Sequence, residues 1–347
     1  MSGAARPRRS RHRAVKAARK VKRPAAQRPR RRAAVTRRPS APKTPGAVVS
    51  TEWLAAHMDD PHVRVVDGTW HMPQLQRDPR REFEEAHVPG AVFFDIDGIA
   101  DRNTSLPHML PSAAQFASQV GELGISNADF VVVYDLRGVI SAARVWWTFR
   151  AMGHHRVAVL DGGLRKWRAE GRPVESGPAK APRRRFRARL RRDLVRGLQQ
   201  VRRNIYTRRE QTLDARSHGR FAGTEPEPRA GLRGGHIPGS LNLPYDILYR
   251  PDATLLPPDG LRQAFAAAGV DLGKPVVTTC GSGITASVLA LGLHLVGHKK
   301  VAVYDGSWTE WAGQADTPVE PREAPRHDCV HTRAVCEGPG RHYREGK

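Results

Sequence analysis

The feature of this sequence that most restricts its fold is an internal repeat with a spacing of about 145 residues. His87-Val88-Pro89-Gly90 returns as His236-Ile237-Pro238-Gly239, and the segment 153–162 returns as 297–306. Because solenoid repeats are only ~20 to 50 residues long, a repeat of this length indicates a duplicated domain. At roughly 100 to 200 residues per domain, the chain of 347 residues has room for two copies and tails.

Each copy alternates short apolar runs with amphipathic stretches. The runs Val131-Val132-Val133 and 275–279 are continuous, as is typical of strands buried on both faces in a parallel sheet. Amphipathic patterns before and after these runs predict helices at 112–123, 142–152, 259–268 and 285–296. The alternation predicts an α/β fold in which each copy is an open parallel sheet with helices on both faces. Ligands bind at the carboxyl ends of the strands in such sheets.

The formal net charge of +24 is concentrated in two segments. Residues 1–45 contain seventeen Lys and Arg and no acid, and residues 180–209 contain thirteen bases and one acid, so the rest of the chain carries −5. The first segment is rich in Pro, Ala and like charges, which predicts a disordered basic tail. Its role stays open between weak, non-specific contact with nucleic acid, organelle targeting, and an extension without function.

These patterns predict five segments: a disordered tail (1–45), a first domain (46–178), a basic linker with a surface helix (179–209), a second domain (210–320) and a C-terminal tail (321–347). In the last segment, Cys329 and Cys336 with two nearby histidines depart from zinc-finger spacing, so no metal site is predicted.

Composition also bears on the compartment. No apolar run approaches the ~18 residues that span a bilayer, so no membrane anchor is predicted. Three cysteines are too few to staple a secreted fold, which favours a reducing compartment. We expect a cytoplasmic protein, with the mitochondrial matrix as the alternative if residues 1–45 are a transit peptide.

The strongest chemical motif is Cys280 and the loop that follows it. Cys280 ends an apolar run and precedes two glycines, Gly281 and Gly283, and a helix that begins near Thr285. Glycines let successive N–H groups turn toward one anion, and the helix N-terminus adds the positive end of its dipole. Thiols in such surroundings ionise readily and become nucleophiles. Cys280 is therefore the predicted nucleophile, and a buried structural cysteine is the alternative.

A phosphatase is a competing interpretation of a cysteine in an anion-binding loop. Such an enzyme needs an Arg about six positions after the Cys to clamp the phosphoryl oxygens. Ala286 occupies that position, so the sequence argues against phosphatase chemistry.

The heptapeptide Cys-Gly-Ser-Gly-Ile-Thr-Ala at 280–286, together with the duplication, resembles the tandem rhodanese sulfurtransferases, and within them the mercaptopyruvate branch. The resemblance extends from about Ser50 to Glu320 and implies two tandem rhodanese-like domains, with one active site on the second half facing the first. Other segments that carry it are 77–83, 93–97, 108–111, 141–147, 219–221, 226–229 and 304–308. In the first copy Asp135 stands in the place of Cys280, and an aspartate cannot carry a sulfane sulfur. The first domain is therefore expected to be catalytically silent.

The resemblance also implies the roles of individual residues. Arg220 and Arg229 would bind the substrate carboxylate, and Asp97, His108 and Ser282 would form a proton relay. The expected substrate-binding loop residues are Gly281, Gly283, Ile284 and Thr285. Two simpler roles remain open at this stage: the arginines pair with Glu225 and Glu227, or His108 is a hydrogen-bonding residue at the domain interface.

The activity implied is transfer of the sulfur of 3-mercaptopyruvate through a Cys280 persulfide to an acceptor, with release of pyruvate and without a cofactor or metal. The expected acceptors are a small thiol, a thioredoxin-like protein or cyanide. Thiosulfate sulfurtransferases, the nearest alternative, carry cationic side chains directly after the cysteine, whereas Gly281 and Ser282 are neutral. A hypothesis of another class is a sulfur-carrier or nucleic-acid-associated interaction protein in which the basic tail dominates.

Overall fold

The computed structural model describes residues 45–321, and the statements below concern this range. The predicted N-terminal tail lies outside this range except for residue 45. The predicted C-terminal tail, with Cys329 and Cys336, lies outside it except for residue 321. The first half contains strands β1 (Val48–Val49), β2 (Val63–Asp67), β3 (Val92–Phe93), β4 (Phe130–Tyr134) and β5 (Val157–Leu160). Its helices are α1 (Thr51–His57), α2 (Pro79–Glu85), α3 (Ile96–Ile99), α4 (Ala113–Glu122), α5 (Ile140–Ala151) and α6 (Gly163–Ala169).

The second half repeats this order of strands. Its strands are β6 (Val195–Arg196), β7 (Gln211–Asp214), β8 (Leu241–Asn242), β9 (Val276–Thr279) and β10 (Val301–Tyr304). Its helices are α7 (Leu198–Thr207), α8 (His218–Ala222), α9 (Pro258–Ala267), α10 (Ala286–Leu295) and α11 (Ser307–Gly313). None of the helices in residues 45–321 combines the length and apolar character needed to cross a bilayer.

The two sheets share one topology. The strand orders are β1-β5-β4-β2-β3 and β6-β10-β9-β7-β8, and every pairing is parallel. Along β4, Val131 and Val133 belong to one apolar cluster and Val132 to another, because successive side chains point to opposite faces. The predicted α/β fold, with two open parallel sheets covered on both faces, is confirmed.

The second half begins earlier than the sequence suggested. Residues 195–207 fall in the segment predicted as a basic linker, but β6 pairs with β10 and α7 buries Val201 against the second sheet. The many arginines of this segment obscured the apolar face of α7. Long Arg side chains keep their charge in water while their neighbours pack inward, so basic composition alone does not exclude a packed helix.

A loop of each half donates a backbone hydrogen bond to the other half. The backbone N–H of Leu110 donates to Asp305 Oδ2 at 2.8 Å, and the N–H of Leu255, 145 residues later, donates to Asp161 Oδ1 at 2.9 Å. The residues two positions before these leucines, His108 and Ala253, both adopt a left-handed backbone with φ of +63° and +67°. The duplication therefore produces two reciprocal contacts across the junction of the halves.

Arg144 breaks this symmetry. It lies on α5 and is only 2% exposed, whereas the matching position on α10 is Leu289. The Arg144 guanidinium lies 2.7 Å from Asp305 Oδ1, donates to the carbonyl of His108, and donates to the carbonyl of Gly283 at 3.4 Å. It also stacks over the Trp147 ring at 4.6 Å. A single buried cation thus joins both halves.

Replacing Arg144 with Met should destabilise the whole described unit. The substitution leaves Asp305 as a buried charge without a counterion, which costs about 3 to 5 kcal/mol of unfolding free energy. Urea unfolding followed by tryptophan fluorescence measures the change. Adding Asp305→Asn should recover most of the loss, because the uncompensated charge disappears. A single Arg144→Met variant within about 0.5 kcal/mol of the parent would contradict the role given to this ion pair.

Candidate active site

The loop after β9 forms a cradle around the sulfur of Cys280. Cys280 is 2% exposed, and its Sγ accepts a hydrogen bond from the N–H of Gly283 at 3.1 Å. Gly283 has a φ of +82°, and a Cβ at this position would lie 2.6 Å from the Arg144 guanidinium. Only glycine suits both the left-handed backbone and the close approach of that cation.

Helix α11 holds the loop from its other side. The N–H of Cys280 donates to Ser307 Oγ at 3.2 Å, and the N–H groups of Trp308 and Thr309 donate to the carbonyls of Cys280 and Gly281, each at 2.9 Å. Four N–H groups of the loop make no hydrogen bond within residues 45–321: those of Gly281, Ser282, Ile284 and Thr285. A fixed loop with free donors is suited to bind a second sulfur or another anion.

A cavity of about 520 Å³ lies at the junction of the halves. Cys280, Ser282 and Arg229 line it from the second half, and Trp70 and Arg137 line it from the first. Because both halves build the cavity, neither sheet forms the site alone.

Two arginines approach the loop at Gly281. A Cβ on Gly281 would lie 3.1 Å from Arg220 Nη2 and 3.8 Å from Arg229 Nη1. Any larger residue at 281 would press against the Arg220 guanidinium. The structure therefore brings the two predicted carboxylate-binding arginines together beside Cys280.

The environments of these two arginines differ. Arg220 donates to Glu227 Oε2 at 2.5 Å, and Glu227 also accepts from the buried Arg216 at 2.6 Å. Arg220 is thus ion-paired, which was one of the two alternatives that the sequence left open. Within residues 45–321 its partner is Glu227 and not Glu225, because Glu225 accepts from Ser217 at 2.7 Å.

Arg229 has no carboxylate within ion-pair distance among residues 45–321. Burial lowers the pKa of Arg229, while the neighbouring Cys280 thiolate acts in the opposite direction. Of the two arginines beside Gly281, Arg229 is thus the one whose charge no carboxylate of residues 45–321 neutralises. The sequence ranked the two arginines equally, whereas the structure distinguishes them.

Asp97 and His108 form a hydrogen-bonded pair. Their Oδ1 and Nδ1 atoms are 2.6 Å apart, and Trp70 Nε1 donates to the second carboxylate oxygen of Asp97 at 2.8 Å. Burial lowers the pKa of His108 more than Asp97 raises it, so the imidazole is neutral near pH 7. Burial opposes the ionisation of Asp97, but the bond from His108 brings its pKa below the usual value.

The third member of the predicted relay is not joined to this pair. Within residues 45–321, Ser282 makes no hydrogen bond with Asp97 or His108. His108 Nε2 instead lies 3.5 Å from Arg229 Nη2. The pair therefore contacts the cavity through Arg229, and the relay through Ser282 stays a prediction.

The first half contains the same loop with a different occupant. Asp135 is 1% exposed, and its carboxylate accepts from the N–H groups of Arg137, Gly138 and Ala142 at 2.8, 2.8 and 2.9 Å. The carboxylate of Asp135 thus occupies the loop N–H groups that would otherwise be available to an external anion. No external anion is needed there, which agrees with a loop that does no chemistry.

Sequence reasoning missed the residues that fix the site. Arg144, Glu227 and Arg216 carry buried charges around it, and none of them was predicted as a site residue. An arginine within the apolar helix that contains Trp146 and Trp147 was the available signal, because a buried cation requires a partner.

Comparisons with known proteins agree with the duplicated fold. The rhodanese-like domain family matches the chain twice, over residues 50–170 and 198–314. Thiosulfate/3-mercaptopyruvate sulfurtransferase 1, mitochondrial, of Arabidopsis thaliana is 46% identical over 307 residues, covering 82% of this chain and 81% of that protein. The thiosulfate sulfurtransferase of Bos taurus is 47% identical over 276 residues, covering 78% and 93%. The crystal structure of SseA from Escherichia coli, a 3-mercaptopyruvate sulfotransferase, is 37% identical with a TM-score of 0.71, covering 76% and 99%.

Replacing Asp135 with Asn should lower stability and leave the chemistry at Cys280 intact. The amide nitrogen of Asn would face N–H donors, so charge-assisted hydrogen bonds worth roughly 1.5 to 3 kcal/mol are weakened. Urea unfolding should show this loss. Pyruvate formation from 3-mercaptopyruvate, with cyanide as acceptor, should stay within about twofold of the parent. A folded Asp135→Asn protein without activity would show that the first loop takes part in the reaction.

Proposed function

The chain belongs to the rhodanese-like family and is a sulfurtransferase, and on this premise we propose that its donor is 3-mercaptopyruvate and its intermediate a persulfide on Cys280. The observation that carries the proposal is the half-buried Arg229 beside a neutral loop. One free cation next to Cys280 matches one carboxylate. The first domain, with Asp135 in its cradle, acts as a wall of the site. The limits 46–178 and the end of the second domain at 320 remain predictions, whereas β6 and α7 extend the second domain to before residue 210.

In the first half-reaction the Cys280 thiolate attacks the sulfur of 3-mercaptopyruvate. A sulfur–sulfur bond forms as the carbon–sulfur bond breaks. The electron pair of the carbon–sulfur bond stays on the carbon, so the leaving group is the enolate of pyruvate. Protonation at carbon gives pyruvate. The terminal sulfur of the persulfide is held by free N–H groups of the loop, such as those of Ser282 and Ile284. Covalent capture divides the transfer into two easier steps.

Arg229 would bind the donor carboxylate, and Arg220 would assist from its pair with Glu227. His108 is neutral near pH 7 and is oriented by Asp97, so it can hold or return a proton close to Arg229. Ser282 lines the same cavity and would hydrogen-bond the donor carbonyl. Neither metal nor organic cofactor has a role in this scheme.

Thiosulfate is the second candidate donor, because relatives bearing that name are as similar in sequence as any described above. A dianion would favour more than one free cation at the loop. Arg220 is already neutralised by Glu227, and the loop itself contributes no charged side chain. These contacts favour the monoanionic keto acid.

The compartment and the acceptor are also proposals. The Arabidopsis relative is named as mitochondrial, which supports the matrix alternative over the cytoplasmic prediction for a chain with an acid-free basic tail. The acceptor in the second half-reaction is a thiol, a thioredoxin-like protein or cyanide. Nucleic-acid contact through residues 1–45 concerns residues outside the described range.

Mass spectrometry after treatment with 3-mercaptopyruvate alone tests the intermediate. The protein should gain one sulfur atom on Cys280 and release one equivalent of pyruvate. Cys280→Ser should gain none, because an oxygen at this position cannot form a persulfide, and its urea unfolding should match the parent. Pyruvate release by a folded Cys280→Ser protein would refute the proposed nucleophile.

Steady-state kinetics test the carboxylate site. Arg229→Ala removes a charge-assisted hydrogen bond worth about 1.5 to 3 kcal/mol, so the KM for 3-mercaptopyruvate should rise roughly 10- to 150-fold. Arg220→Ala should have a smaller effect, because Glu227 already shares that charge. The KM for cyanide should change little. Arg165→Ala, an exposed arginine on α6, is the matched control. An unchanged KM in Arg229→Ala would show that another group binds the carboxylate.

A further inference from the structure

The cavity extends beyond Cys280 to the loop of the first half. Asp135 and Arg137 line that end of it, together with Tyr245 and Asp246 from the turn after β8. In the internal repeat, Arg137 stands at the position of Ser282, and Asp246 stands at the position of Asp97. The duplication has thus produced a second set of polar groups in the same cavity. We call Arg137, Tyr245, Asp246 and Ile247 the acceptor end.

The acceptor end carries one cation and one anion without partners. The Arg137 and Asp246 side chains are both exposed, and within residues 45–321 neither makes an ion pair or a side-chain hydrogen bond. Both act on the same phenol: burial raises the pKa of Tyr245, Arg137 opposes that change and Asp246 adds to it. Opposite charges therefore lie within electrostatic range of one hydroxyl. The two side chains do not pair with each other within residues 45–321, so each is available to a different group of a ligand.

Apolar side chains line the same cavity as the charged groups of the acceptor end. Leu136, Ile140 and Trp70 line it from the first half. Ile247, which is 45% exposed, lines it from the second half. A ligand that spans the cavity would therefore place methylene or peptide groups on an apolar wall, with its charges at one end and its reacting atom at Cys280.

We propose that the acceptor end binds a thiol whose far end is an α-amino acid, with the carboxylate on Arg137 and the ammonium on Asp246. The proposal rests on the function proposed above, since it assigns the acceptor of the same persulfide. It gives the two anionic substrates different cations: the donor carboxylate binds Arg229, and the acceptor carboxylate binds Arg137. A lone carboxylate would leave Asp246 without a partner, which favours the zwitterion.

The transfer step needs no further reagent. The acceptor thiolate attacks the outer sulfur of the Cys280 persulfide, and a new sulfur–sulfur bond forms to the acceptor. The bond between the outer sulfur and Cys280 Sγ breaks, and its electron pair stays on Cys280 as the thiolate. The acceptor leaves as a persulfide, and the enzyme is ready for another donor.

The experiment measures loss of the persulfide from preloaded full-length protein. The acceptors are glutathione, its N-acetyl derivative without the ammonium, its derivative with the γ-glutamyl α-carboxylate converted to an amide, and neutral 2-mercaptoethanol. The proteins are the parent, Arg137→Gln, Asp246→Asn and the control Arg165→Gln. Thiosulfate serves as a second loading reagent, so the test does not depend on 3-mercaptopyruvate as donor. Failure of both donors to load Cys280 would overturn the proposed function and this proposal together.

Arg137→Gln should lower the second-order rate constant for glutathione about fivefold, the effect of one partly exposed charge contact, and should not affect the amide derivative. Asp246→Asn should lower the rate for glutathione similarly and should not affect the N-acetyl derivative. Neither variant should alter the rate with 2-mercaptoethanol or the release of pyruvate during loading. Equal losses with all four thiols, or no loss with glutathione, would each overturn the proposal.

Discussion

The site depends on one buried ion pair. Arg144 on the first half and Asp305 on the second are both buried, and the same guanidinium donates to the carbonyls of His108 and Gly283. It therefore holds the backbone of His108, the partner of Asp97, and that of Gly283, whose N–H contacts the Cys280 sulfur. A charge buried at this depth requires its partner, so the two halves keep one relative position. The shape of the cavity between the halves follows from this fixed relative position.

Duplication gives the two loops the same backbone but different occupants. Both loops present backbone N–H groups at the start of a helix, and both contain a glycine with positive φ, Gly138 and Gly283. In the first half the carboxylate of Asp135 occupies these donors permanently. In the second half the smaller thiol leaves most of them free. Among the described residues, the same backbone therefore has occupied donors in one copy and mostly free donors in the other, because a single side chain differs.

The sequence predicted those parts of the molecule that depend on local pattern. Continuous apolar runs located the central strands, and the repeat required the two sheets to share a topology. The prediction of Cys280 as the nucleophile rests on a pattern of the same local kind, a cysteine followed by glycines. Pattern could not identify the partners of buried charges, because Arg144 meets Asp305 only after both halves have folded. Nor could it separate Arg220 from Arg229, since their difference lies in Glu227, a neighbour whose contact with Arg216 is a product of tertiary structure. The packing of α7 could not be predicted for a related reason. The basic composition of its segment shows the charge but does not show which face of the helix is buried.

The close approach of Arg220 to Gly281 has a consequence for how such a protein can change over evolutionary time. A side chain at 281 would begin 3.1 Å from the Arg220 guanidinium, so the glycine and the arginine constrain each other. Residues in contact have non-additive effects when substituted. A side chain at 281 requires the Arg220 guanidinium to shift by a few tenths of an ångström, so the effect of a substitution at 281 depends on the residue at 220. Divergence at these two positions is therefore expected to be epistatic: which residue one position accepts depends on which residue the other already holds.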